Sequence, residues 1–219
     1  MVTTIIIYAM AQTLRPSTLL PSKRALTKVT TVDGIELIVE VASPLNPSKG
    51  ALLMCHPNPT GGGMMDSHLY KKAANRLPAL ADLTIVRFNT RGTSSEQGTS
   101  TGAYDQTKLE QHDVEAMVKY CLDDLNLENL WVVGWSFGTE LTLKYARDSR
   151  IKGIILLSPP LMYTKPEELT FWAADGRPVI ALVPEHDEYL SPAAAREKFS
   201  AIPQIEIIDG ENMKHLWLG

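Results

Sequence analysis

Val132-Val133-Gly134-Trp135-Ser136-Phe137-Gly138 is the stretch from which the architecture of this chain can be inferred. The apolar run that begins at Leu130 predicts a buried strand, and residues 139–146 predict a helix. Between them lies Gly-x-Ser-x-Gly, so the pattern is strand, sharp turn and helix. Such a turn strains the backbone of the serine and exposes its hydroxyl above the edge of a sheet. The two glycines avoid collisions with the neighbouring strand and helix. The alternative is an ordinary glycine-serine turn.

The composition restricts the class of protein. A chain of 219 residues is long enough for one large α/β domain and too short for two. Its hydrophobic fraction of 44% is ordinary for a globular protein, and its net charge of −4 favours neither nucleic acid nor an anionic membrane as a partner. Cys55 and Cys121 lie in apolar stretches without a Cys-x-x-Cys spacing, which predicts buried free thiols in a reducing cytoplasm.

Apolar runs and helical patterns alternate along the rest of the chain. Strands are predicted at 29–32 and 35–41, joined by an Asp-Gly turn, then at 51–55, at 83–88, up to Ser136, and at 151–158, 178–183 and 205–208. This order predicts an α/β fold, in which a mostly parallel sheet with an antiparallel start carries helices on both faces. We expect one domain over residues 27–219 and a leader, residues 1–26, outside the core.

The leader contains Ile5-Ile6-Ile7 but no basic residue before it. Its apolar run is too short to span a bilayer and lacks the charged start of a secretory signal, although residues 8–11 weakly resemble a cleavage site. We therefore expect a cytoplasmic protein.

Candidate partners for the serine lie after two later strands. In such a sheet, functional residues gather at the carboxyl ends of the strands. A serine hydroxyl is a weak nucleophile that needs a base, and the base needs an orienting acid. Asp187 follows the strand at 178–183, and His215 follows the last strand. We therefore predict Ser136, Asp187 and His215 as the catalytic residues.

Three neighbours of the predicted acid are alternatives for these roles. Glu185 or Glu188 could be the acid instead. His186 could be proposed as the base, but it shares the loop of the acid, and adjacent side chains in extended backbone diverge. We therefore favour the base that comes after the last strand.

Acyl transfer also needs hydrogen-bond donors for the oxyanion. One is expected to be the backbone N–H of Phe137, at the start of a helix. The second should come from the loop at 56–63, where the two prolines have no N–H. This leaves Asn58, Thr60 or the glycines, and we favour Asn58. His56 is expected to brace the loop by hydrogen bonding.

The chain resembles the α/β-hydrolase superfamily over residues 27–219. His-Pro-x-Pro-x-x-Gly-Gly at 56–63 and Arg-Phe-Asn-x-Arg-Gly at 87–92 are similar to the small, nearly lid-less hydrolases related to dienelactone hydrolases. The resemblance implies that the three predicted catalytic residues act, in chain order, as nucleophile, acid and base. It also implies that Arg91-Gly92 shapes the rim of the pocket.

The chain departs from that family in two ways. Dienelactone hydrolases proper have a cysteine where this chain has Ser136, which argues against their substrate. Related chains usually continue past the histidine into a final helix that covers the sheet, whereas in this chain the histidine precedes only residues 216–219. One hypothesis is that the apolar segment Ile5–Leu14 covers that face, in the same chain or in a partner chain.

The expected activity is that of a serine hydrolase that cleaves small acyl esters or thioesters through an acyl-enzyme. The excursion between Ser158 and Arg177 leaves little room for a cap domain, so we expect a shallow pocket and short-chain substrates. Candidate residues for the pocket are Met64, Met65, Met162, Tyr163, Phe171 and Trp172. No metal cluster or dinucleotide fingerprint occurs in the sequence, so neither a metal nor a cofactor is expected. The expected partner is the acyl substrate, without nucleic acid or membrane, and a homodimer stays open.

Two alternative functions remain at this stage. A peptidase or an acyltransferase could use the same three residues, because fold and triad do not separate these chemistries. A protein of a different class would be a catalytically silent hydrolase fold that serves as a binding or dimerisation module.

Overall fold

The computed structural model describes Arg15 and residues 18–218. The strands are β1 (Lys23–Thr30), β2 (Glu36–Ser43), β3 (Gly50–Cys55), β4 (Leu83–Phe88), β5 (Ser94–Ser95), β6 (Gly98–Thr99), β7 (Leu130–Trp135), β8 (Gly153–Leu157), β9 (Val179–His186) and β10 (Ile205–Lys214). The α-helices are α1 (His68–Ala81), α2 (Glu110–Lys119), α3 (Phe137–Tyr145), α4 (Pro166–Asp175) and α5 (Pro192–Lys198). Short 3₁₀ turns lie at Pro59–Gly61 and Phe199–Ala201, and a π-helical turn, Tyr120–Asp124, extends α2.

Eight of these strands form one sheet, in the order β1-β2-β4-β3-β7-β8-β9-β10. The pairs β1/β2 and β2/β4 are antiparallel, and the other pairs are parallel. The predicted α/β fold, mostly parallel after an antiparallel start, is therefore confirmed. The polar loop after β4 holds the separate two-stranded ribbon β5/β6.

The start of the sheet lies earlier than the predicted domain boundary at residue 27. β1 begins at Lys23, which pairs with Ser43 at the end of β2. Residues 23–26, placed in the leader by the sequence, thus belong to the sheet, because the backbone of β2 offers them partners. Leu20 also donates its N–H to the carbonyl of Asn75 on α1. The hypothesis that Ile5–Leu14 covers the sheet lies outside the described residues.

The sheet has a thickly covered face and a thinly covered face. Alternate strand residues point to opposite faces, so Ile154 and Leu156 of β8 enter the larger core, which α2, α3, α4 and α5 cover. Ile155 and Leu157 point to the other face, where α1 packs on β2 and β4. Between β8 and β9 the chain forms only α4, and the described residues contain no lid.

The register of the parallel strands brings chemically active residues to one edge. Trp135 at the end of β7 pairs with Leu157 of β8, so Ser136 and Ser158 are the next residues along. On the same side of the sheet, His186 of β9 pairs with Lys214 of β10. Asp187 and His215 are the residues directly after this pair, which is why two residues far apart in sequence become neighbours.

Candidate active site

The turn after β7 has the strained geometry that its sequence predicts. Ser136 has φ 52° and ψ −118°, a backbone conformation that residues other than glycine rarely adopt. A Cβ on Gly134 would lie 2.6 Å from the Cα of Thr139, and one on Gly138 would lie 2.6 Å from the carbonyl carbon of Cys55. Both glycines are therefore required, because α3 lies too close to β7 and to β3 to leave room for a side chain at these positions.

Ser136, His215 and Asp187 form a hydrogen-bonded chain. The Oγ of Ser136 lies 2.8 Å from Nε2 of His215, and Nδ1 of His215 lies 2.8 Å from Oδ2 of Asp187. Oδ1 of Asp187 accepts hydrogen bonds from the backbone N–H groups of Tyr189 and Leu190. The side chain of Asp187 is 1% exposed and that of His215 is 5% exposed, so the chain of hydrogen bonds is shielded from water.

The alternative acids and base do not hydrogen-bond to the ring of His215 or to the hydroxyl of Ser136. Glu185 is exposed, and its Oε2 accepts the backbone N–H of Asn212 instead of facing the histidine. Glu188 and His186 are exposed as well. The structure thus brings together the three residues that the sequence favoured.

The backbone around His215 is held by hydrogen bonds from three side chains. Its carbonyl accepts hydrogen bonds from Oγ of Ser158 at 2.8 Å and from Nε1 of Trp135 at 3.3 Å. Nε2 of His68 lies 2.8 Å from the carbonyl of Leu216, so this ring nitrogen carries the proton. The segment that carries the imidazole is therefore fixed to β7, β8 and α1.

The loop after β3 is braced by His56, as the sequence predicts. Nε2 of this buried ring accepts the backbone N–H of Thr90, so Nδ1 carries the proton and donates to the carbonyl of Pro57 at 2.6 Å. Burial lowers the pKa of His56 to about 4, so the ring is neutral at pH 7. Gly63 donates its N–H to the carbonyl of Asn58, which closes the loop.

Two backbone N–H groups are available beside the serine. Phe137 begins α3, and Asn58 precedes the 3₁₀ turn after β3. Both residues line a cavity that Ser136 also lines. Within the described part of the chain, neither N–H has a hydrogen-bond acceptor, which leaves both for a substrate oxygen.

Two cavities meet at Ser136. The smaller cavity has a volume of about 150 Å³ and is lined by Asn58, Ser136, Phe137, Glu140, Pro160, Met162, Tyr163 and Tyr189. The larger cavity has a volume of about 350 Å³, and its walls include the glycine loop at 61–63, His68, His215, Leu216 and Leu218. The two share Ser136, Asn58 and Tyr189, so a substrate bonded to the serine can extend into both.

The predicted pocket residues divide into three groups. Met162 and Tyr163 line the smaller cavity. The prediction is wrong for Met65 and Trp172, which are fully buried: Trp172 donates its Nε1–H to the carbonyl of Leu143 inside the larger core. Neither cavity is lined by Met64 or Phe171. Proximity along the chain was misleading here, because Met65 and Trp172 pack into the interior of the protein.

The arginine motif also has a different role from the implied one. Arg91 is 2% exposed, and its guanidinium pairs with Asp113 and Asp33, so it does not shape the rim. Arg87 is buried as well and pairs with Glu40 and Asp66. The pairs of Arg91 attach the loop after β4 to α2 and to the turn between β1 and β2. The pair of Arg87 with Asp66 attaches the loop before α1 to β4.

Two residues at the site, Tyr189 and Glu140, carried no clear sequence signal. Tyr189 lines both cavities, and its ring centroid lies 4.5 Å from that of His215. Glu140, in the first turn of α3, is fully buried yet lines the smaller cavity. Burial raises the pKa of Glu140, although hydrogen bonds from Thr164, Tyr163 and Met162 oppose this shift. The position of Glu140, four residues after the serine, was the one feature of the sequence that indicated its place at the site.

Other kinds of site are not evident in the described residues. They contain no group of three or more His, Cys, Asp or Glu side chains arranged to hold a metal ion. None of the described helices combines the length and the apolar character needed to cross a membrane. Both cysteines are free and buried, and burial raises the pKa of Cys55 to about 12.

The sequence profile of the alpha/beta hydrolase fold matches residues 50–206, more than half of the chain, and the chain belongs to this family. A search of curated proteins found no match. An α/β serine hydrolase without lid from Xanthomonas campestris superposes with a TM-score of 0.74 at 25% identity, over 92% of this chain and 89% of that chain.

Two other solved structures share the fold at lower identity. An α/β serine hydrolase homologue from Coxiella burnetii has a TM-score of 0.74 at 24% identity, covering 91% of this chain and 92% of that chain. An esterase from Pyrococcus furiosus has a TM-score of 0.74 at 16% identity, covering 89% and 84%. The protein is thus a hydrolase-fold chain whose neighbours include a lid-less serine hydrolase and an esterase.

Proposed function

We propose that this protein is a carboxylic ester hydrolase that cleaves small acyl esters or thioesters through an acyl-enzyme. The observation that carries the proposal is the hydrogen-bonded chain from a strained Ser136 through His215 to Asp187, with 2.8 Å at each step. These distances lie within the range at which a base activates a serine hydroxyl. Ser136 is the nucleophile, His215 the base and Asp187 the residue that orients and stabilises the imidazole.

The proposed order of proton transfers follows the hydrogen-bonded chain. Oγ of Ser136 attacks the substrate carbonyl while its proton passes to Nε2 of His215, and Asp187 stabilises the resulting imidazolium. The N–H groups of Phe137 and Asn58 donate to the oxyanion of the tetrahedral intermediate. Nε2 then gives its proton to the departing alcohol or thiol, which leaves the acyl group on Oγ. Water repeats the sequence, and the products are the acid and the regenerated serine.

Short substrates are favoured by the absence of a lid in the described residues and by the size of the cavities.

The similarity to the dienelactone-hydrolase-related group is supported by the loop at 56–63, whose residues line the larger cavity and brace its wall. The cytoplasm stays the proposed location, supported by two buried free thiols. A homodimer stays an open prediction, and no partner other than the acyl substrate is proposed.

A fluorophosphonate probe tests the activated serine. The wild-type protein should be labelled, Ser136→Ala should not, and Ser94→Ala, a variant of an exposed serine away from the site, should be labelled like wild type. On p-nitrophenyl esters, Ser136→Ala should lose at least about a thousandfold in kcat. Acetyl and butyryl esters should react faster than the dodecanoyl ester.

Each failure of this experiment points to a different alternative. Labelling without hydrolysis of any ester or thioester would favour a peptidase or an acyltransferase. An absence of labelling would favour a non-catalytic binding module. Faster hydrolysis of the dodecanoyl ester would contradict the short-chain assignment while leaving the serine mechanism in place.

A further inference from the structure

The two cavities beside Ser136 can be assigned to the two halves of an ester. The leaving group must receive its proton from Nε2 of His215, so it departs on the side of the imidazole. The larger cavity is lined by His215, whereas the smaller cavity is not. The alcohol or thiol part therefore occupies the larger cavity, and the acyl chain enters the smaller one.

The smaller cavity limits the length of the acyl chain. Its volume of about 150 Å³ holds roughly five to ten groups of the size of a water molecule, at about 15 to 30 Å³ each. Its walls come mostly from α3 and from the loop at 160–163 after β8, with Asn58, Ser136 and Tyr189 completing the lining. No lysine or arginine is among these lining residues, so a negative charge on the acyl chain would find no cationic partner there.

Glu140 holds the loop at 160–163 in place, and it is the one acidic residue that lines the smaller cavity. Its Oε1 accepts the backbone N–H of Met162 at 2.6 Å, and its Oε2 accepts the hydroxyl of Thr164. It lies in the first turn of α3, where the helix dipole favours negative charge. The nearby cation Lys144 on the same helix is paired with Glu168.

We infer that Glu140 makes this site selective for short acyl chains without a negative charge and excludes acyl chains that end in a carboxylate. This inference rests on the proposed ester hydrolysis. Two carboxylates about 5 to 6 Å apart at an effective dielectric of 20 repel each other strongly enough to lower kcat/KM about a hundredfold, and this is the effect expected for an anionic acyl chain beside Glu140. Glu140 is a specificity-determining residue and takes no part in the proton transfers.

Two substrates of nearly equal shape isolate the charge. Ethyl levulinate ends in a methyl ketone, and monoethyl succinate replaces that methyl group by a carboxylate oxygen. We expect the wild-type protein to hydrolyse ethyl levulinate with a kcat/KM about a hundredfold higher than that for monoethyl succinate, measured by acid release in a pH-stat at pH 8.

Glu140→Gln is the matched variant, because it removes the charge and keeps the shape. Its amide oxygen can accept the N–H of Met162, and its amide N–H₂ can donate to the hydroxyl of Thr164. The levulinate-to-succinate ratio should fall at least tenfold, while kcat/KM for ethyl levulinate stays within about threefold. Glu110→Gln, in a second fully buried glutamate at the start of α2, should keep the wild-type ratio.

The outcomes separate the inference from the function on which it rests. If the wild-type protein hydrolyses no ester, the proposed function fails and the inference with it. If ethyl levulinate is hydrolysed but the wild-type ratio is near one, the inference alone is overturned. The same holds if Glu140→Gln leaves the ratio unchanged. The wild-type ratio decides the question even if the variant does not fold.

Discussion

The carbonyl of His215 is the point at which the catalytic segment is attached to the sheet, and weakening it should slow the reaction. Ser158 and Trp135 each donate one hydrogen bond to this oxygen, and both side chains are buried. In Ser158→Ala or Trp135→Phe the oxygen keeps one side-chain donor, so each change should cost about 0.5 to 1.5 kcal/mol in the free energy of unfolding. The double variant leaves the oxygen without either donor, and an unsatisfied buried acceptor costs about 1 to 3 kcal/mol more.

The effect on catalysis depends on the position of the imidazole. Because His215 must stay within hydrogen-bond reach of Ser136, part of the lost attachment appears as a lower kcat. We expect kcat to fall about threefold to tenfold in each single variant and about a hundredfold in the double variant. KM for p-nitrophenyl butyrate should change less than threefold in Ser158→Ala, because this side chain lines neither cavity.

Two matched variants separate this effect from a general loss of stability. Trp172→Phe removes a buried indole hydrogen bond to the carbonyl of Leu143, and Ser100→Ala removes a buried hydroxyl that donates to the carbonyl of Asn89. Each should lower the urea midpoint at least as much as either single site variant, with kcat within about twofold of wild type. If these two variants lose as much kcat as Ser158→Ala, or if the double variant is destabilised but keeps full kcat, the two hydrogen bonds do not position His215 for catalysis.

Three further changes test other parts of the structure. Gly138→Ala should lower the free energy of unfolding by about 3 kcal/mol and abolish hydrolysis, because the new Cβ overlaps β3. The control Gly61→Ala should stay within about 0.5 kcal/mol of wild type, because no atom lies within 4 Å of its new methyl group. Equal urea midpoints for the two variants would contradict this prediction. Burial lowers the pKa of His56 from 6.5 to about 4, so between these pH values the unfolded state binds a proton that the folded state does not. The free energy of unfolding should therefore fall by about 3 kcal/mol as the pH drops from above 6.5 to 4. In His56→Asn, urea unfolding at the same pH values should not show this fall. Asp113→Ala should cost about 3 to 5 kcal/mol, because it leaves the guanidinium of Arg91 with one of its two carboxylates, and a thermal midpoint equal to wild type would rule out a structural ion pair.

Some of the site was predictable because its causes are local. Gly134 and Gly138 are required where Cβ atoms would overlap the backbone, so their spacing around Ser136 is a direct record of that turn. Asp187 and His215 were found because each comes after a parallel strand, and parallel strands end at the same edge. The antiparallel start was signalled by an Asp-Gly turn between two apolar runs.

The lining of the cavities was not predictable in this way. Met65 and Trp172 are large apolar residues near the site along the chain, yet both are buried in the packing between elements. Glu140 and Tyr189 line a cavity although neither belongs to the motif. The direction of a side chain depends on which elements pack around it, and the sequence carries no local mark of that.

The amino-acid sequence by itself determined the class of fold, the strained serine, the histidine that faces it and the aspartate that pairs with that histidine, because glycine spacing, apolar periodicity and strand order are properties of short segments. Only the tertiary structure decided that Arg91 braces two loops, that Ser158 and Trp135 hold the histidine, and that Glu140 stands beside the smaller cavity. Those roles arise from contacts between segments that lie far apart along the chain, and such contacts exist only once the sheet has formed.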